Sequence, residues 1–242
     1  MRQGAGGAGG WAIKPLGDLD LLVEFGGEID PATNQRVHAA ARALGRLREH
    51  WDIQIVPAYT ALAIMHRARH VRGGPNPFSA LQEAVEAVLA EGFDAVEQPG
   101  RIVDIPVCYG GDHGPDLEDV ARQTGLDPQE VIELHAADTQ RVFMVGFAPG
   151  QPVIGLSDER LSLPRRRTPR VRVPARSVAI ANRQTVAYSM AVPGGWHLLG
   201  RTPIAPFRIG RDPLCYFMAG DRVRFRPIDE DEFQSLEAAH GA

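Results

Sequence analysis

The chain has 242 residues, 44% of them hydrophobic and 23% charged, with a formal net charge of −4 and a pI near 6.1. That apolar content builds a real core for one large domain or two ordinary ones, while the mild acidity argues against nucleic-acid binding, which needs a basic face. No apolar run reaches the roughly eighteen residues of a membrane span. Two cysteines, Cys108 and Cys215, are too few for a disulfide framework and lack metal-ligand spacing, so both are expected as buried thiols and no metal site is expected.

Residues 1–10, "MRQGAGGAGG", lack the apolar core of a secretory signal and read as a flexible tail; with the sparse cysteines they point to the cytoplasm. A domain over 11–100 follows. It opens with the strand "DLDLLVEFG" and a helix with Asp30 as N-cap, Pro31 at its first turn and Val37, Ala41, Leu44 and Leu47 on one stripe. "DIQIV" (52–56) and "YTALAIM" (59–65) predict a hairpin. A second helix starts near Pro77, repeats Leu81, Val85, Val88 and Leu89, and stops near Gly92. With the strand "RIVDIPVCY" (101–109) the order is β-α-β-β-α-β, a ferredoxin-like α+β unit, although this last strand fits equally as the opening of the next domain.

A second domain, 101–242, has a different rhythm. Two short helices, about 115–124 and 128–136, carry a Gly125 C-cap and an Asp127–Glu130 capping box. Then come short strands: "RVFMVGF", "RVRVPA", "SVAIA", "QTVAYSM", "CYFMA" and "RVRFRPI", which predict a barrel or sandwich before a terminal acidic helix.

There is no GxxxxGK[ST] phosphate-binding loop, no GxGxxG following a predicted strand, no HExxH and no nucleophile elbow. Four clusters rich in glycine or proline stand out instead: "CYGGDHGPDL", "GFAPGQPVIG", "LPRRRTPRVRVP" and "VPGGWHLLGRTP". Glycine opens φ angles closed to other residues and lets backbone approach a ligand, so "GFAPGQPVIG" reads either as a turn between strands or as a wall of a site.

These clusters, with "VARQTGLDPQEVIELH", "PLGDLDLLVEFG" and "AGDRVRFRPI" in the same order, resemble the family that includes the B-type subunit of 5-oxoprolinase, the kinase inhibitor KipI and the first subunit of allophanate hydrolase. The resemblance implies a cyclophilin-like β-barrel after a small α/β domain. It implies a subunit of an ATP-dependent 5-oxoprolinase, which opens a lactam to glutamate beside KipA-like and LamB/YcsF-like subunits. ATP and Mg²⁺ would act in the assembled complex, with no tightly bound cofactor in this chain. The alternatives it carries are a carboxyltransferase component acting on a urea-like amide and a regulator of a histidine kinase.

His135 falls at the family's recurrent histidine position and at a helix C-terminus, where the cation is favoured and the pKa should rise; it is an acid/base candidate or a helix cap. Asp116, with Asp112, is either acid/base machinery or an acidic first-turn residue. Tyr109, Gly110 and Gly111 would form a turn that offers backbone N–H groups to an anion. Arg165, Arg170 and Arg201 are cations able to grip a carboxylate or phosphate, whereas Arg166 and Arg167 read as solvated. Substrate contacts are expected from Phe147, Pro149, Gly150 and Gln151, from Gly194 and Gly195, from Trp196 as core or platform, and from Thr202; His197 reads as a strand neighbour. Against the family's usual pattern, Gln140, Gln151 and Val153 stand where aromatics are common, and Arg176 and Asn182 where glycines are.

Overall fold

The protein is described by a computed structural model over residues 2–4, 10–66, 77–94 and 100–240. It divides into two compact units, Met1–Pro99 and Gly100–Ala242.

In the first unit, β1 (Arg2–Gly4), β2 (Trp11–Leu16) and β3 (Asp20–Glu24) precede helix α1 (Pro31–Leu44) and a 3₁₀ turn; β4 (Ile53–Pro57), β5 (Ala61–His66) and α2 (Pro77–Ala90) follow. The sheet is antiparallel in the order β1-β2-β3-β5-β4. Strand periodicity buries Leu21, Val23, Leu62 and Ile64 on one face, where Val37 and Leu44 of α1 and Leu81 and Val85 of α2 meet them. The Asp30 carboxylate accepts the Thr33 N–H at 2.9 Å and Pro31 opens the helix, so α1 begins where its sequence signal lies. The 52–65 hairpin forms as β4 and β5.

Two expectations are corrected here. Part of the supposed glycine tail is a strand: residues 2–4 pair with β2, because an open sheet edge needs only backbone partners; residues 1 and 5–9 lie outside the described residues. The ferredoxin-like order fails as well. The place beside β3 is taken by β2, joined to it through a short turn at Gly17 (φ +71°), and strand 102–109 goes to the second unit. That strand carries four consecutive buried residues, Ile105–Cys108, which a sheet covered on one face would leave half exposed.

The second unit contains β6 (Ile102–Tyr109), α3 (Leu117–Thr124), α4 (Pro128–Ala136), β7 (Gln140–Val145), β8 (Pro152–Gly155), β9 (Arg170–Val173), β10 (Ser177–Ala181), β11 (Gln184–Ala187), β12 (Val192–Gly194), β13 (His197–Arg201), β14 (Arg222–Ile228) and α5 (Glu230–His240). Seven strands close a barrel in the order β10-β11-β8-β7-β14-β6-β13, and β9 and β12 form a separate ribbon. β6 and β14 run parallel, from Ile102 opposite Arg222 to Cys108 opposite Ile228. Val103, Ile105, Val107, Val142, Ile154 and Phe225 share one core; Ile180 and Leu199 belong to a second, packed with Val120 of α3 and Val131 of α4. Both Gly125, at φ +73°, and the reciprocal Asp127–Glu130 box form as the sequence implies.

"CYFMA" is not a strand. Its ladder is reduced to one bridge, Phe207 to Cys215, and the Met218 N–H is taken by the Asp221 carboxylate at 2.7 Å. Conversely, β8 and β13 arise inside the glycine clusters.

The β10–β11 hairpin turns through Asn182 and Arg183 at φ +49° and +64°, and Arg176 sits at +68°. Left-handed backbone accounts for glycines being usual at 176 and 182. Asn tolerates this region and Ala does not, so Asn182→Ala should lower stability by about 1 kcal/mol while Asn182→Gly stays within a few tenths, read as urea midpoints.

Candidate functional site

Asp116 is the anchor of the motif loops. It sits just before α3, 4% exposed, and its side chain makes no helix cap. Instead Oδ1 accepts from Arg166 Nη1 and Arg170 Nη2, and Oδ2 from Arg170 Nη1, each at 2.8 Å; Oδ2 also accepts the Leu198 N–H at 2.7 Å. Burial alone would raise its pKa, but the Arg170 hydrogen bonds, the Leu198 N–H and the two guanidinium charges outweigh it and hold the carboxyl below its ordinary value. A carboxylate so saturated is a clamp rather than a proton carrier. The solvated reading of Arg166 is therefore corrected: its head holds Asp116 and its N–H donates to the Gly195 carbonyl at 2.7 Å.

Around that clamp the sequence clusters converge. The Arg165 guanidinium lies 5.6 Å from the centroid of the Trp196 ring, a cation–π contact. Trp196 is half-buried, with part of its ring packed and part open to solvent. Gly194 admits the Tyr188 hydroxyl where a Cβ would collide with it. A groove of about 460 Å³ runs between Asp119 and Gln123 of α3 and the 164–168 loop, lined also by His197. His197 is 3% exposed; its Nε2 donates to the Pro164 carbonyl at 3.0 Å. The other ring nitrogen, Nδ1, is buried with no hydrogen-bond partner among the described residues. Sequence reasoning set His197 aside, and only its burial and orphaned nitrogen mark it.

The expected turn at Gly110 and Gly111 forms, with one of its N–H groups already occupied. Gly110 and Gly111 take positive φ (+71° and +51°), but the Gly110 N–H is spent on the Leu199 carbonyl at 3.0 Å and its own carbonyl accepts from Gly114 at 2.7 Å.

His135 and Tyr109 form a separate polar chain. The Tyr109 hydroxyl lies 2.7 Å from His135 Nδ1, His135 Nε2 lies 3.1 Å from Thr185 Oγ1, Thr185 donates to Gln140 Oε1 at 3.4 Å, and Gln140 Nε2 donates to the His135 carbonyl at 3.0 Å. Only one set of directions satisfies every member: Tyr109 donates to Nδ1 and the neutral Nε2–H tautomer donates to Thr185. Burial pushes the His135 pKa down to about 3 and raises that of the Tyr109 hydroxyl far above the ordinary phenol value. The expected rise from the helix terminus is thus reversed, because removal from water outweighs the helix dipole. Gln140, which replaces an aromatic of the family pattern, closes this chain.

The remaining candidates lie elsewhere. Phe147 (φ +71°, 79% exposed), Pro149, Gly150 and Gln151 form the β7–β8 loop, and a Cβ on Gly150 would stand 2.7 Å from Phe207. Gln151 is buried with Oε1 unpaired among the described residues. Arg201 donates to the Ala175 carbonyl at 3.2 Å, and burial together with the Arg176 charge lowers its pKa. Thr202 is buried and accepts the Ile204 N–H at 3.2 Å.

Comparison with known families is decisive for the chain as a whole. Residues 11–217 match the family described as carboxyltransferase domain, subdomain C and D. The chain belongs to this family. A relative from Bacillus subtilis (strain 168), named as the B-type subunit of 5-oxoprolinase, is 41% identical over 232 residues, which cover 94% of this chain and 97% of that one. The family fold is also seen in the crystal structure of TTHA0988, with 34% identity and a TM-score of 0.74 over 87% of this chain; that protein is longer, and the match spans 40% of it. Kluyveromyces lactis urea amidolyase superposes with a TM-score of 0.79 over 99% of this chain and 16% of its own, at 18% identity, a likeness of fold alone. Among the described residues, no helix is long and apolar enough to cross a membrane.

Proposed function

We propose that this chain is the B-type subunit of an ATP-dependent 5-oxoprolinase, active only beside KipA-like and LamB/YcsF-like subunits. The observation that carries this reading is the 41% identity, along nearly the whole of both chains, with the Bacillus subtilis protein of that name. The groove suits such a substrate chemically. 5-Oxoproline presents a carboxylate, a lactam carbonyl and a ring N–H, and the exposed Arg165 and Arg167 at the groove offer cationic donors to its anionic and carbonyl oxygens. In this reading Asp116 positions the arginine loop and does not itself move a proton. ATP with Mg²⁺ acts in the assembled complex, since this sequence has no phosphate-cradling loop of its own. Exposed Phe147, Ile209, Leu214 and Met218 on the β7–β8 and 207–218 loops are apolar surface suited to burial against a partner. The cyclophilin-like description of the barrel belongs with this proposal.

The test is 5-oxoproline-dependent ADP release by the three co-expressed subunits. Turnover should require this chain, and Arg165→Ala should lower kcat/KM at least about tenfold, the loss of roughly 1.4 kcal/mol of anion stabilisation. An intact complex without 5-oxoproline-dependent turnover would sink the assignment.

A further inference from the structure

Cys108, His113 and Glu230 come from three different segments, yet one ligand atom of each lies within 4.8 Å of the others. Cys108 Sγ is 3.8 Å from Glu230 Oε2, and His113 Nε2 is 2.8 Å from the same oxygen. We propose that these three side chains form a binding site for a divalent transition-metal cation, best matched by zinc, distinct from the groove at Arg165.

The fold builds this cluster rather than leaving it to chance. Cys108 is fixed opposite Ile228 by the parallel β6–β14 ladder, and two residues later the chain starts α5 with Glu230. One register therefore places both the sulfur and the carboxylate. His113 stands on the tight turn held by the Gly114 N–H on the Gly110 carbonyl, and its ring packs 4.4 Å from that of Phe233, one turn into α5. The second carboxylate oxygen of Glu230 accepts from Gln234 Nε2 at 3.0 Å, the kind of outer contact that orients a ligand.

The donor set selects the ion. Thiolate, imidazole and carboxylate together suit a borderline-soft cation, whereas magnesium and calcium prefer all-oxygen shells. Tetrahedral zinc with bonds of about 2.0–2.3 Å sets its ligand atoms about 3.3–3.7 Å apart. The sulfur–oxygen edge is already close to that. The nitrogen–oxygen edge must open by about half an ångström, exchanging one hydrogen bond for two metal bonds. Binding displaces the Cys108 proton to solvent, as thiolate ligation requires. Cys108 is buried and His113 partly so, while the Glu230 side chain is 52% exposed, so the fourth coordination position opens to water.

Cobalt reports on this directly. In the full chain carrying Cys215→Ser, so that a single thiol remains, Co²⁺ should give a thiolate-to-cobalt charge-transfer band with tetrahedral d–d transitions, and zinc should displace it. Adding Cys108→Ser should abolish the charge-transfer band. Glu230→Gln, at an exposed helix start that leaves the barrel intact, should weaken zinc binding at least about tenfold in calorimetry, as should His113→Ala. No binding to the folded parent chain at excess metal, or binding unchanged by Cys108→Ser and Glu230→Gln, would overturn the proposal and leave only the His113–Glu230 hydrogen bond. None of these readouts depends on oxoprolinase activity.

Discussion

Asp116→Ala should lower the stability of the barrel unit by about 3 kcal/mol, seen as a lower urea midpoint at unchanged slope. The variant removes the acceptor of three guanidinium hydrogen bonds and of the Leu198 N–H, stranding two positive charges. Arg166 and Arg170 are 30% and 25% exposed, so they regain some hydration, which places the cost at the low end for a broken buried pair. Asp116→Asn keeps the shape but turns an amide donor toward donors, and should recover less than half of the loss. The clamp also depends on pH. Because the folded pKa is held below the ordinary carboxylate value, its stabilisation is complete above pH about 4 and disappears as the pH falls through the lowered pKa. If Asp116→Ala unfolds within a few tenths of a kcal/mol of the parent chain, Asp116 is not the anchor of the arginine loop.

Acid should weaken the barrel earlier, through His135. Its imidazole is neutral in the fold, with a pKa of about 3, whereas an unfolded histidine titrates near 6.5. Above pH about 6.5 both states are neutral and the full stability is present. Below it the unfolded chain binds a proton that the folded chain refuses, so stability falls by about 1.4 kcal/mol per pH unit down to about pH 3. Between pH 7.5 and 5 this group alone contributes a loss of about 2 kcal/mol. His135→Gln will be less stable at pH 7.5, since it cannot reproduce both ring contacts, but its loss on moving to pH 5 should be smaller by that amount. Equal losses in the two proteins would mean that His135 is hydrated and titrates normally.

Local signals were the readable part of this sequence. Asp30–Pro31, Gly125 and the Asp127–Glu130 box each act within one helical turn, and all form as expected. What failed was choice of partner. Strand 102–109 reads equally well beside β3 or in a barrel, and only the prior claim of β2 on that edge decides. β13 was hidden because His197–Arg201 is short and carries Gly200, where a Cβ would meet Val107 at 2.7 Å. Asp116 finds its arginines 50 and 54 residues away, and Cys108 meets Glu230 across 122. No spacing rule spans such separations. The resemblance located the motif loops but not the division of labour within them: Arg166, read as solvated, is a structural partner of Asp116, and His135 sits in the interior.

The parallel seam between β6 and β14 also orders events in time. Among the described residues, the strand pairs of the first unit are all antiparallel, and the β2–β3 and β4–β5 hairpins join strands separated by only a few residues, contacts that a nascent chain makes quickly. The barrel has local hairpins of its own, β7–β8 and β10–β11, but its first strand waits for its last, residues 222–228, before the ring is complete. Until that segment leaves the ribosome, β6 and β7 keep open edges around an apolar interior, the state in which chaperones engage a chain and strands from neighbouring copies pair wrongly. The same seam that gathers Cys108 and Glu230 thus makes the second unit the slow and vulnerable half of biosynthesis.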